Sequence, residues 1–386
     1  MLEQRLLRHI ARFEYGEALA QESRSEGDTP VFGSNGQVGA HARPNTLAPC
    51  IIVGRKGSFG KVTWSDIPAF CIDTAYYVDK RHTRENLRWL YWVLQTLGLD
   101  AFSEDTGVPG LSREKAYQSY VPYTLLPEQT RIANFLDEQT ARIDALIAEK
   151  ERLVEILVER WQSCVEEVVT DEPSGRRVKL GYLVDLLPGF AFPSDQFSRD
   201  ETDIRLLRGI NVAVGDVRWD EVVYWPRQDG DGLERFIIKE DDVVFAMDRP
   251  WISSGARVAI IDKAAEGALL LQRVCRLRGR RGRLLQRFIY YAVASDRFRQ
   301  SIEMDLTGVS VPHISPEQIL QFKIPVLSPE EQQKRCERAM RLQRAIEDLK
   351  DQAIVMLGHL REYRSSLISA AVTGQLDIDN FGRQVA

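Results

Sequence analysis

The sequence has no apolar run near the roughly 18 residues that a membrane-spanning helix needs, so no span is expected. Its opening residues, Met1 to Glu17, carry neither a long apolar core nor a small-residue cleavage site, which argues against a secretory signal. The five cysteines (Cys50, Cys71, Cys164, Cys275 and Cys336) are scattered, with no Cys-x-x-Cys pair and no Cys/His cluster. Such spacing suggests neither a disulfide framework nor a metal site, and it fits a reducing cytoplasm. The usual marks of a catalyst are missing too. There is no Gly-x-Gly-x-x-Gly. The nearest approach to a phosphate loop, Gly54 to Val62, has the wrong glycine spacing and lacks the Ser/Thr that would hold Mg²⁺. No Asn/Asp-Pro-Pro-aromatic motif of adenine methyltransferases occurs; Val121-Pro122-Tyr123 is not one. The five histidines (His9, His41, His82, His313 and His359) make no His-Glu-x-x-His and have no evident triad partners. These absences leave a 386-residue chain of ordinary globular composition, 44% hydrophobic and 28% charged, with length for about two domains.

The formal charge of −5 is not spread evenly. Between Glu128 and Thr170 there are ten acidic and five basic residues, so the rest of the chain is close to neutral. It is free to carry local basic patches, and local patches set affinity for phosphates more than the overall balance does.

The strongest signal is an internal repeat. LSREKAYQSYVPY from Leu111 aligns with ISPEQILQFKIPV from Ile314, Glu128-Gln129 with Glu331-Gln332, and Val169-Thr170 with Val372-Thr373, all at one offset of 203 residues. Leu7, Ile10, Phe13 and Gly16 align with Leu180, Leu183, Leu186 and Gly189 at an offset of 173. Matching ends around differing centres imply two copies of one scaffold carrying different binding surfaces.

From Glu128 to Thr170 there is no Pro or Gly. Ile132, Leu136, Ile143, Leu146, Leu153, Leu157, Cys164 and Val168 form a heptad stripe interrupted by Gln139, Lys150 and Arg160. Pro127 and Glu128 suit a helix start. A helix of this length runs to about 65 Å at 1.5 Å per residue, too long for a compact domain. The second copy, Glu331 to Thr373, carries Leu342, Ile346, Leu349, Ala353, Met356, Leu360, Tyr363 and Leu367, with Gly358 as a weak point. Its six acidic and eight basic residues oppose the acidic first stripe, which favours pairing of the two within one chain over pairing with a second chain.

A mixed α/β region precedes each long helix. IIVGRKGSFGKV and AFCIDTAYYVD in the first, and DDVVFAMDRP, ARVAIID and LLLQRVCRLRG in the second, are expected strands; LLQRFIYYAVAS is an expected short helix. The expected division is two globular regions at 1–126 and 173–327, a central helix with linker at 127–172 (Asp171 to Arg176 joining the halves), a C-terminal helix at 328–375 and a tail at 376–386. Small-residue loops that carry hydrogen-bonding and basic side chains suit DNA, because glycine lets the backbone approach phosphates and Arg or Lys supplies charge. In the first region these are Asn35 and His41, then Arg55, Lys56, Ser58 and Lys61. In the second they are Arg208 and Asn211, then Arg249, Trp251, Ser253, Ser254 and Arg257. Solvated turns are the plainer alternative. Arg273 to Arg287, with seven arginines, is either a solvated loop or a phosphate clamp. Thr307 to Ser315, which contains His313, partly matches Thr106 to Ser112 and is either a hinge or a contact shared by both halves.

In order and wording, these segments resemble the specificity subunits of Type I restriction-modification systems. The resemblance covers nearly the whole chain. It is carried by VFGSNGQVGAH, IIVGRKGSFGKV, LLRGINV, VVFAMDRPWISSGARVAI and GVSVPHISPEQI, by the Pro-Glu-Gln and Pro-Glu-Glu-Gln helix starts, and by Ala141-Arg142-Ile143-Asp144-Ala145-Leu146-Ile147. It implies two target-recognition domains that each read half of a bipartite site in double-stranded DNA. It also implies an antiparallel helix pair that sets the spacing. Methyltransferase subunits using S-adenosylmethionine and a translocating restriction subunit would carry the chemistry, and the chain itself would hold no cofactor or metal. The chain starts closer to its first recognition strand than the resemblance leads one to expect. Two other functions fit the residues: a coiled-coil adaptor with two protein-binding domains, and a stand-alone DNA enzyme, which the missing motifs oppose.

Overall fold

The computed structural model describes residues 2–102, 110–170, 175–226, 232–280, 282–303 and 313–382. Most of the linker (171–174), most of the two shared loops (106–109 and 307–312) and Arg281 lie outside the described residues. The chain divides into two compact units, Met1–Glu151 with Ile354–Ala386, and Arg152–Ala353.

The first unit holds β1 (Glu3–Leu6), β2 (Glu14–Tyr15), β3 (Thr29–Gly33), β4 (Gly36–His41), β5 (Cys50–Gly54), β6 (Val62–Ser65), β7 (Phe70–Cys71), β8 (Ala75–Val78), α1 (Leu87–Gln95), α2 (Arg113–Ala116) and β9 (Tyr120–Tyr123). The long α3 (Leu126–Val168) then begins. The second holds β10 (Arg177–Lys179), β11 (Val184–Pro188), β12 (Ile204–Leu207), β13 (Tyr224–Trp225), β14 (Val243–Ala246), β15 (Trp251–Ile252), β16 (Gly255–Ala256), β17 (Val258–Ile260), β18 (Leu269–Leu270), β19 (Val274–Gly279), α4 (Gln286–Ala294), α5 (Asp296–Glu303), α6 (Pro316–Gln321) and β20 (Lys323–Pro325). The second long helix is α7 (Pro329–Val372).

The duplication is visible strand by strand. A four-stranded antiparallel sheet runs β2-β8-β5-β6 in one unit and β11-β19-β14-β17 in the other. A three-stranded sheet runs β4-β3-β7 and β13-β12-β18, in each case with one parallel pair. The ribbons β1-β9 and β10-β20 close each copy. The aligned glycines have one cause: a Cβ on Gly16 would overlap the Ile72 carbonyl, and one on Gly189 the Leu271 carbonyl, because the chain crosses a neighbouring strand there at backbone contact.

The repeated Glu-Gln pair is a lock. Gln129, fully buried, accepts from the Asn86 N–H at the start of α1 (2.9 Å) through Oε1. Its Nε2 donates to Glu85 (2.7 Å) and to the Thr124 carbonyl (2.9 Å). Gln332, also buried, accepts from the Leu285 N–H at the start of α4 (3.0 Å) and donates to the carbonyls of Arg283 (3.1 Å) and Leu327 (3.2 Å). Each glutamine ties the first turn of a long helix to an N–H that the short helix leaves unpaired at its own start.

Both long helices contribute to both cores, and within each unit they pair antiparallel. In the first, Asp144 accepts from Arg364 (2.7 Å) and Glu151 from Arg361 (2.8 Å), while Leu367, Ile368 and Ala371 share a core with Ile132, Leu136 and Ile143. In the second, Arg335 donates to the Thr170 carbonyl (2.7 Å), Arg338 pairs with Glu167 (3.3 Å), and Cys336 and Ala339 share a core with Cys164 and Val165. These three cross-helix ion pairs each set an α3 acid against an α7 base, as the charge asymmetry leads one to expect. The expected stripe needs correction in α7. Leu349, Met356 and Tyr363 are exposed, as is Leu146 in α3, while Ile346, Ala353 and Leu367 are buried as expected, and Cys336, Ala339 and Leu357 are buried outside the expected stripe. Steps of three, four or their sums keep these on one helix face.

Candidate nucleic-acid interface

In the first unit the candidate loops gather at one end of the four-stranded sheet, where Gly54 lies opposite Ala75. The β3–β4 hairpin presents exposed Asn35, and the β5–β6 loop presents exposed Lys56, Ser58 and Lys61. A staple joins them: Lys61 Nζ donates to the Asn35 carbonyl (2.8 Å) and to its Oδ1 (3.2 Å). Arg55 is half-buried, lies over the Tyr15 ring (4.9 Å) and donates to the Asp73 carbonyl (3.1 Å). His41 is half-buried, with Nδ1 accepting from the Ser25 N–H (3.0 Å) and its ring edge-on to Phe70. Lys56 is exposed, and no described residue bonds its side chain.

The second unit builds the same end from other residues. Arg257 immediately precedes β17, as Lys61 precedes β6, and it performs the same stapling more extensively. Its guanidinium donates to the carbonyls of Val212 (3.0 Å), Asp248 (3.2 Å), Arg249 (3.5 Å) and Gly209. Burial, and then the charge of Arg249, lower its pKa. Asn211 is buried. Its Oδ1 accepts from the Arg208 N–H (3.1 Å) and its Nδ2 donates to the carbonyls of Arg218 (2.9 Å) and Glu221 (3.0 Å), so it shapes the loop from inside. Arg208 donates to the Glu221 carbonyl (2.8 Å). Ser253 and Ser254 stand exposed at the tip of the β15–β16 hairpin. Trp251 packs half-buried near Phe298, its indole N–H buried without a partner among the described residues. Arg249 is exposed and its side chain is bonded by no described residue. It sits at φ 44°, a backbone region that side-chain-bearing residues rarely enter, at a cost on the order of 1 kcal/mol.

One residue that sequence reasoning missed organises this end. Asp248 accepts from His313 Nδ1 (2.5 Å) and from Arg273 (3.0 Å). Burial raises its pKa, but these two bonds outweigh burial and hold the carboxyl below its ordinary value. The end of the shared loop joins here too, since Asp248 bridges His313 as Lys56 bridges Gly110. The Ile314 N–H donates to the Met247 carbonyl (2.9 Å) and the Leu111 N–H to the Arg55 carbonyl (2.8 Å). The only sequence signal for this was the partial match between the two loops.

The arginine-rich run is not a solvated loop for most of its length. It forms β19, next to β14. Arg276 is buried and pairs with Asp185 (3.1 Å), Arg278 grips Asp242 (2.7 Å), and Arg280 donates to the Val184 carbonyl (3.0 Å). These three hold the sheet together.

Fold and site define a class: a duplicated α/β scaffold, joined through paired helices, whose two copies present different polar and basic loops from one end of the same sheet. No family model matches the chain. It is 24% identical over 298 residues to the specificity subunit of the Type I restriction enzyme MjaVIII from Methanocaldococcus jannaschii, covering 73% of this chain and 68% of that one. It is 35% identical over 154 residues to the EcoAI specificity subunit from Escherichia coli, covering 40% of this chain and 26% of that one. A solved chain from work on complex assembly and conformational transition of the type I R-M system matches with a TM-score of 0.72 at 12% identity, over 97% of this chain and 98% of that one, a likeness of fold. The chain is thus a homologue of proteins named Type I restriction enzyme specificity subunits.

Proposed function

We propose that this chain is the DNA-recognition subunit of a Type I restriction-modification complex acting in the cytoplasm. Each unit reads one half of a bipartite duplex target, and the paired helices fix the spacer. One observation carries the reading: the two copies share sheet order, helix locks and staple position, yet differ in the residues shown at the loop end. A shared scaffold with unlike tips suits two different half-sites. Lys56 and Arg249, exposed and unbonded among the described residues, are the foremost phosphate or base contacts. His313, Ser58, Ser253 and Ser254 are further contacts; Lys61, Arg257, Asn211, His41, Arg55 and Arg208 hold the loops in shape. Methyltransferase subunits, using S-adenosylmethionine, would dock on the long helices, where Ile156 and Val158 of α3 and Ile354, Val355 and Met356 of α7 are exposed. A restriction subunit would join for cleavage. No described helix is long and apolar enough to cross a membrane.

A rigid connector gains effective concentration only at a matching half-site separation. The test deletes one heptad from α3 and the facing heptad from α7, then selects bound duplexes from a random library in the presence of the partner methyltransferase. Expected are unchanged half-sites at a new spacing. Unchanged spacing would refute the ruler, and the absence of any selected sequence would refute recognition itself.

A further inference from the structure

The end of each unit opposite the recognition loops is also basic, and nothing above gives it a role. In the first unit β8 runs away from the Gly54–Ala75 end, pairs Val78 with Ile51 and delivers the segment 79–85 at the far side of the sheet, about 13 Å away along the strand. This segment is fixed against the turn that follows β1. The Arg12 N–H donates to the His82 carbonyl (2.9 Å), and the Thr83 hydroxyl donates to the Ile10 carbonyl (2.7 Å). Together they form an open groove of about 540 Å³ lined by Arg8, His9, Arg12, Lys80, Arg81 and Arg84, with Glu85. The nearby acids are already engaged: Asp79 with Arg81 (2.5 Å), Glu14 with Arg12 (2.9 Å) and Glu85 with Gln129 (2.7 Å). Arg8, Lys80 and Arg84 are exposed, and no described residue bonds their side chains.

The second unit supplies an independent observation. The corresponding segment after β19 shares little sequence with Lys80–Arg84, yet places exposed Arg283 at the same end of its sheet, beside Arg280, which is exposed but also donates to the Val184 carbonyl. The recognition loops of the two units differ in residues; this end repeats its charge. A ligand met alike by both copies is one that is not read for sequence.

We propose that this basic end, best formed by Arg8, Lys80 and Arg84, is a second nucleic-acid contact that takes the phosphodiester backbone of a duplex without regard to sequence. Long cationic side chains around an open groove suit phosphates, which a guanidinium can grip with two N–H groups and an ammonium meets as a point charge, whereas base reading needs side chains held in place against base edges. The inference does not rest on the half-site reading.

The test uses the full chain carrying Arg8→Gln, Lys80→Gln and Arg84→Gln together. These side chains are exposed and unbonded, so melting should match wild type; Arg12 and Arg81, which hold Glu14 and Asp79, are left in place. Binding to a duplex of about 20 base pairs and mixed sequence is measured against salt. Each lost phosphate contact removes about 0.9 from the slope of log K against log salt, so the slope should become shallower by about 2 to 3. Affinity at low salt should fall at least tenfold, with the selected half-sites unchanged. A Lys56→Ala/Arg249→Ala chain should show the reverse, with altered half-site preference and little change in the mixed-sequence slope beyond those two charges. An unchanged slope in the triple variant overturns the proposal. So does unchanged DNA binding accompanied by loss of association with a partner subunit, which would make this end a protein-docking surface.

Discussion

The two units keep the same bonds wherever geometry is demanding and change their chemistry wherever it is not. Gln129 and Gln332 make the same N–H and carbonyl bonds, and Gly16 and Gly189 press against equivalent carbonyls. The cross-loop staple occupies one position in both copies, but it is an exposed lysine with two bonds in one and a partly buried arginine reaching four carbonyls in the other. At the far corner of the sheet even the polarity changes. The first unit buries Asp79 against Arg81, and the second places Arg278 at the equivalent site, paired with Asp242. A scaffold can change the charge pattern of a corner provided the pair is kept, because an unpaired buried charge is what costs most.

The sharpest challenge to this comparison is at the repeated glutamines. Replacing either by Ala leaves a helix-start N–H and a carbonyl buried without a partner, so Gln129→Ala and Gln332→Ala should each destabilise their own unit by about 3 kcal/mol. Hydrogen exchange should show α1 loosened in the first variant and α4 in the second, with the other unit unaffected. A large effect in one unit and none in the other would break the equivalence. The staples should differ in size. Arg257→Ala removes four carbonyl bonds and some packing, at about 2 kcal/mol, whereas Lys61→Ala removes two exposed bonds, at about 0.5 kcal/mol. On the proposed function, each would broaden the preference of its own half-site alone, which selection from a random library would read out.

Much of this architecture was legible in the sequence because its signals are periodic or duplicated. The 203-residue offset paired the two long helices and aligned the segments that fold as β9 and β20, without marking those as strands, and the charge imbalance between the stripes anticipated the ion pairs of Asp144, Glu151 and Glu167. Part of the α7 seam was read correctly, since Ile346, Ala353 and Leu367 are buried as expected; Leu349, Met356 and Tyr363 were wrongly included because they satisfy a seven-residue pattern equally well, while small Ala339 gives only a weak hydropathy signal. The candidate loops were located, but the task of each residue was not. Whether an arginine faces solvent or caps carbonyls depends on the chain opposite it, as Arg249 and Arg257 demonstrate eight residues apart. The arginine-rich run misled for the same reason, because Arg276 and Arg278 have their acids, Asp185 and Asp242, far away in sequence.

The smallest expected effect concerns pH, and it separates the two corners. His82 in the first unit is buried. That burial, with Arg12 and Arg81 nearby, lowers its pKa against the opposing pull of Asp79 and Glu14. The Asp79 N–H donates to its Nδ1 (3.2 Å), a bond that needs this nitrogen unprotonated, and the Asp79 carboxylate lies beside it. Burial pushes the Asp79 carboxyl up, but its bonds from Arg81 and from the Leu47 N–H outweigh that and leave it below its ordinary value. Both folded-state pKa values are depressed, so the unfolded chain binds more protons and stability falls as pH falls. The histidine acts first, below its unfolded value of about 6.5, and the aspartate only below about 3.9. The second unit has an arginine–aspartate pair at this corner, with no described histidine beside it. As pH falls from 7.5 to 5, protection from hydrogen exchange, taken relative to the intrinsic rate at each pH, should therefore drop in α1 and β8 more than in β19 and α4. His82→Gln, which keeps a side-chain acceptor for the Asp79 N–H, should flatten that response in the first unit only. A response that survives the substitution would place the acid sensitivity elsewhere and remove this difference between the corners.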